Sequence, residues 1–147
     1  MKIVKKIRHI GIVTNNLKKS LWFYEKLLGF KLKIKMSEYG KKTEKLTNIS
    51  KVKIETLKLK SKKSSVMIEL LYFKNRKING SGRYNISRIG TSHFAVTVSN
   101  LNSIYKKFKK LGIKFVCEPL LSNDEKVKLT FCRAPEGTLV EMVEELK

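Results

Sequence analysis

The apolar positions of the chain repeat. "HIGIVTNNL" (residues 9–17) lies over "HFAVTVSNL" (residues 93–101) without a gap, opening on histidine and closing on Asn-Leu in both. Each run alternates like a half-buried strand and then passes into a stretch of helical period, "LKKSLWFYEKLLGF" and "LNSIYKKFKKLGIKF". Leu17, Leu21, Tyr24 and Leu28 keep a 3.6-residue stripe in the first, and Leu101, Ile104, Phe108 and Leu111 keep one in the second. Asn16 and Asn100 stand where helix N-caps belong, and Gly29 and Gly112 where a helix stops. Two further strand-like runs follow in each half, "FKLKIKM" with "KVKIETLKLK", and "IKFVCEP" with "VKLTFCR". Each half ends on an apolar strand broken by one acid, "VMIELLYF" with Glu69 and "TLVEMV" with Glu141, the second entered through the turn chemistry of "APEGT".

This order predicts an α+β fold of two tandem βαβββ modules, residues 1–74 and 88–147, joined by residues 75–87 into one domain of 147 residues. A two-unit repeat forms a pseudo-symmetric domain, since solenoids need three or more. Within the joining segment, "NGSGRYN" is expected to be mobile without ligand, because Gly80 and Gly82 have no side chains to pack.

Side chains alternate across a strand, so faces can be assigned. His9, Gly11 and Val13 share one face against Ile10 and Ile12; His93, Ala95 and Thr97 oppose Phe94, Val96 and Val98. The large apolar faces are expected against the helices, and the histidine faces, small or polar, line a cavity. A buried carboxylate without a partner costs several kcal/mol or is neutralised. His9, Glu69, His93 and Glu141, one per strand and equivalent in pairs, can satisfy one another around a divalent cation. Two neutral imidazoles and two carboxylates suit Zn²⁺, Ni²⁺, Mn²⁺, Fe²⁺ or Co²⁺. Each histidine would then need an acceptor for its other ring nitrogen. The alternative is a pair of ordinary strand histidines with two glutamates that point at water.

Composition changes the picture little. A 41% hydrophobic content fits a globular chain. Residues 1–13 contain no apolar signal core and no later run reaches membrane-spanning length, so a cytoplasmic protein is expected. Cys117 and Cys132 match no metal or redox spacing and are expected as reduced, partly buried thiols. The net charge is +21, yet of 33 basic residues five are arginines: Arg8, Arg76, Arg83, Arg88 and Arg133. Base readout and bidentate phosphate recognition favour arginine, and the lysines are spread along the whole chain, so specific nucleic-acid binding is not expected. The charge leaves room for an anionic small molecule, with Arg83 or Arg88 of the joining segment as candidate contacts, or for salt-sensitive association with nucleic acid.

The segments "RHIGIVTNNLKKSLWFYEKLLGFKL", "VMIELLYF", "SHFAVTVSNL" and "APEGTLVEMVEE" resemble the vicinal oxygen chelate superfamily, which has the glyoxalase I fold. The resemblance covers essentially the whole chain. It implies paired βαβββ modules curved around a metal, with His9, Glu69, His93 and Glu141 as ligands. The order His, Glu, His, Glu is closest to glyoxalase I of the bacterial type. It implies a lyase or isomerase that acts on a small molecule and is assembled as a homodimer. Metal-held oxygens would stabilise an enediolate, with Glu141 as the base and Glu69 as its counterpart. Two positions depart from that pattern. Val13 stands where an arginine usually helps hold the glutathione carboxylate, and Phe73 where an asparagine is usual. An acyl-CoA epimerase of the methylmalonyl type and a drug-sequestering protein without chemistry are the alternative readings.

Overall fold

The computed structural model describes residues 3–78, 80, 85–87, 89–90 and 93–146. The chain forms two compact units, Met1–Gly80 and Ser81–Lys147. In the first unit β1 (His9–Val13) leads into α1 (Leu17–Leu21), which runs on as one π-helical stretch (Trp22–Leu27). β2 (Lys31–Tyr39), α2 (Lys41–Thr47), β3 (Lys53–Lys60) and β4 (Met67–Phe73) follow. The second unit contains β5 (His93–Thr97), α3 (Leu101–Lys110), β6 (Leu120–Leu121), β7 (Val127–Arg133) and β8 (Leu139–Glu145). Each unit has one four-stranded mixed sheet, β1-β4-β3-β2 and β5-β8-β7-β6. In both, the first strand pairs parallel with the last and the remaining pairs are antiparallel. The expected α+β fold of repeated βαβββ modules is the observed one.

The face opposite the histidines is the core of each unit. In the first, Ile12, Leu57, Leu59, Ile68 and Leu70 are buried, as are Phe23, Tyr24 and Phe30. In the second, Leu101, Phe108, Cys132, Val140 and Met142 are buried. Each such side chain contributes roughly 1.5–3 kcal/mol on leaving water. The helical stripe of the first module packs only in part: Tyr24 is buried, while Leu17, Leu21 and Leu28 are half-buried. Phe23 and Tyr24 are consecutive and both fully buried, because the π-helical stretch rotates its contact face, closing with Leu28 N–H on the Phe23 carbonyl at 3.1 Å. In the second module Leu101 and Phe108 do pack, while Leu111 is exposed.

Two other expectations change. α2 was not foreseen, since its one large apolar residue, Leu46, is 87% exposed and no stripe marks the helix. The run "IKFVCEP" is not a continuous strand. Phe115 makes one bridge to Cys132, and pairing resumes as β6 after Pro119, whose missing N–H interrupts a ladder. Most of the "NGSGRYN" segment, including Gly82, lies outside the described residues, as do Arg83 and Arg88. Among the described residues no helix is long and apolar enough to cross a membrane. Cys132 is fully buried, its thiol pushed up to about 12 by desolvation, and Cys117 is exposed; both are free thiols.

The two helices are capped differently. Asn16 caps α1 through its own side chain, accepting from Lys19 N–H at 3.0 Å. Asn100 is left-handed and makes no side-chain cap. Instead Glu144 of β8 accepts from the Asn100 and Leu101 N–H groups at 2.8 and 3.1 Å. Its negative charge also suits a helix N-terminus. Glu144→Ala should therefore lower stability by about 1 kcal/mol, read as a shift in the urea midpoint. Asn100→Ser should strain the left-handed backbone there and lower the urea midpoint as well.

Glu55 is a buried carboxylate on the core face, with Lys35 and Lys74 ammonium groups each 2.7 Å from its oxygens. Hydrogen bonds from Lys35 and then Lys74 hold its carboxyl below the usual value of 4.5. The depressed value places the stabilisation at neutral pH and removes it as pH falls below that range. Urea midpoints measured from neutrality downward should fall in acid for the wild type. Glu55→Gln should start lower and lose less over the same range.

Candidate functional site

The register of the two sheets brings histidine and glutamate together in the same way twice. His9 pairs with Met67 and Gly11 with Glu69; His93 pairs with Leu139 and Ala95 with Glu141. In each case a small residue stands opposite the acid, and the histidine two positions earlier shares its face. The space opposite Glu69 is open enough for a methyl: a Cβ added to Gly11 would meet the Glu69 Oε2 at 3.9 Å, an ordinary contact, as expected where the repeat carries Ala95.

The side chains meet accordingly. His9 Nε2 is 3.0 Å from Glu69 Oε2, and His93 Nε2 is 3.2 Å from Glu141 Oε2. Glu69 is 13% exposed and Glu141 21%, against about a third for each histidine, so the carboxylates lie deeper than the rings. Among the described residues no three of His, Cys, Asp or Glu gather closely enough to hold a metal ion. Each unit supplies a pair of donors. The separation within each pair fits two ligands of one first-row ion, since bonds of about 2.1 Å at near-octahedral angles leave neighbouring ligand atoms roughly 3 Å apart. The donor chemistry fits the same ion. The expected acceptor for the outer nitrogen of His9 is missing: His9 Nδ1 is buried and has no hydrogen-bond partner among the described residues.

The pairs differ in their third neighbour. Lys58 lies directly across from Glu69 in the β3–β4 ladder, and its Nζ is 3.1 Å from Glu69 Oε1. The matching position across from Glu141 is Phe131, whose ring meets the His93 ring edge-on with centroids 5.2 Å apart. The sequence reading missed both. Lys58 alternates with the exposed lysines of "KVKIETLKLK", and only the register separates it from them. Phe131 opens onto a cavity of about 940 Å³ in the second unit, walled by Val116, Leu120, Leu121, Leu129 and Leu139. Val13, in the expected arginine position, is 43% exposed on the histidine side of β1, and Phe73 shares that side on β4.

The Glyoxalase/Bleomycin resistance protein/Dioxygenase superfamily matches residues 6–142. An uncharacterized Bacillus subtilis protein, YwbC, is 24% identical over 140 residues, 95% of this chain and 97% of its own. A glyoxalase family protein from Bacillus cereus has a similar crystal structure, with a TM-score of 0.89 at 20% identity, covering 99% of this chain and 97% of that one. The trypanothione-dependent glyoxalase I of Leishmania major aligns with a TM-score of 0.65 at 20% identity, over 97% of this chain and 88% of the other. At these identities the structural likeness speaks for the fold.

Proposed function

Because the chain belongs to the Glyoxalase/Bleomycin resistance protein/Dioxygenase superfamily, whose members include both metal-dependent enzymes and binding proteins, we propose that it is a metal-dependent lyase or isomerase of glyoxalase type. In this reading His9, Glu69, His93 and Glu141 hold one divalent cation, Zn²⁺, Ni²⁺, Co²⁺, Mn²⁺ or Fe²⁺. The observation that carries it is the doubled His–Glu contact in identical register. A bound cation supplies a Lewis acid that polarises a carbonyl oxygen. The protein works in the cytoplasm on a small molecule, as a homodimer.

The chain's own residues divide the remaining work. Glu141 takes the proton from the carbon beside the carbonyl and returns it to a neighbouring carbon. Glu69 is less suited to that role, because its two oxygens are held by His9 and Lys58. Among the described residues Glu141 is held through one oxygen, by His93. His9 and His93 stay as neutral ligands, and Phe131 fixes the plane of the His93 ring.

Metal-loaded protein should turn over hemithioacetals of 2-oxoaldehydes or, as the epimerase alternative, 2-methyl acyl-CoA thioesters, and chelated protein neither. The apolar cavity beside Phe131 favours a second reading, sequestration of an apolar molecule without chemistry. Absence of turnover with every metal, together with tight ligand binding by chelated protein, would establish that reading instead.

A further inference from the structure

Lys58 breaks the symmetry of the two half-sites. Its side chain is 17% exposed, on the same face as His9 and Glu69, where the second unit carries an apolar ring. Burying an ammonium this far is costly unless it is well paired. An ammonium has three donors, and among the described residues one acceptor meets it, Glu69 Oε1. Its cross-strand neighbour on β2 is Ile34, which offers none. Two carboxylates balance a divalent cation, so the Lys58 charge is left over as net positive charge with donors to spare. A neutral substrate would leave it so.

We propose that Lys58 is the specificity-determining residue of this site and selects substrates carrying a carboxylate next to the reacting carbonyl. This rests on the metal-dependent reading above. The free donors of Lys58 bind the substrate carboxylate, while Glu69 keeps the ammonium aimed at the site. A lysine suits the role, because its point charge on a flexible stem can hold Glu69 and a second anion together.

The test compares hydroxypyruvate with hydroxyacetone. They share the same hydroxyketone, with a carboxylate in one where the other has a methyl. Binding to Mn²⁺-loaded protein is read from paramagnetic broadening of the probe's proton resonances, so no turnover is needed. Lys58→Met should weaken hydroxypyruvate at least about tenfold, the loss of a charged hydrogen bond, and leave hydroxyacetone unchanged. Lys58→Arg, which keeps the charge if Lys58→Met folds poorly, should retain the preference for hydroxypyruvate. If Mn²⁺ binds but Lys58→Met weakens both probes equally or neither, the assignment of Lys58 is wrong and the metal site stands. If the wild type binds no Mn²⁺, Zn²⁺, Ni²⁺ or Co²⁺, the metal site itself is wrong, and Lys58 is a counter-ion of Glu69 and nothing more.

Discussion

His9→Ala should lose the rise in melting temperature that divalent cations give the wild type. A ligand present at a hundredfold excess over its Kd stabilises the folded state by about 2.7 kcal/mol. For a chain of this length that is on the order of 10 °C. Removing one of four donors should abolish most of the effect across Zn²⁺, Ni²⁺, Mn²⁺ and Co²⁺. His93→Ala should behave the same, because the two histidines hold the same register against their acids. If the quartet closes across a homodimer, mixing the two variants should restore part of the shift through heterodimers with one intact site. If it closes within one chain, mixing should restore none. Two ordinary strand histidines would give equal and small metal responses in wild type and variant, and that result would remove the site.

Glu141→Gln should separate metal binding from turnover. The amide oxygen can still coordinate, so the melting-temperature response to metal should largely remain. The amide cannot take a proton, and turnover should fall by about 10²–10⁴-fold. Glu69→Gln should show the opposite balance. It keeps an amide oxygen but removes the negative charge that balances Lys58, leaving an ammonium in a largely buried position, so stability should suffer more than the chemical step. Equal losses of turnover in the two variants would mean that the carboxylates share the proton transfer, as their symmetric placement by itself suggests.

The repeat was legible because its signals are local. The histidine-led strands, the Gly29 and Gly112 helix stops and the "APEGT" turn each follow from a few neighbouring residues. Gly29 and Gly112 do adopt positive φ, 75° and 82°, which glycine enters without strain. The alternation of "HIGIV" and "HFAVT" put each histidine on the face opposite the core, and equivalence along the chain related His9 to His93 and Glu69 to Glu141, while the His–Glu contact within each unit came from strand register. α2 escaped notice because it buries no apolar stripe, and periodicity reports helices through burial.

What the tertiary structure decided is whatever depends on register between strands distant in the chain. The sequence placed a cap at Asn100, and the fold supplied it from Glu144, which reaches the helix because β8 pairs beside β5. The sequence treated Lys58 as one of 33 basic residues, and its pairing across from Glu69 made it a partner of the site. The sequence ranked Glu69 and Glu141 as near equals, and their cross-strand neighbours, an ammonium and an aromatic ring, made them different. Alternation determines which face a side chain takes; the company it keeps there is fixed by long-range pairing, to which no local pattern is sensitive.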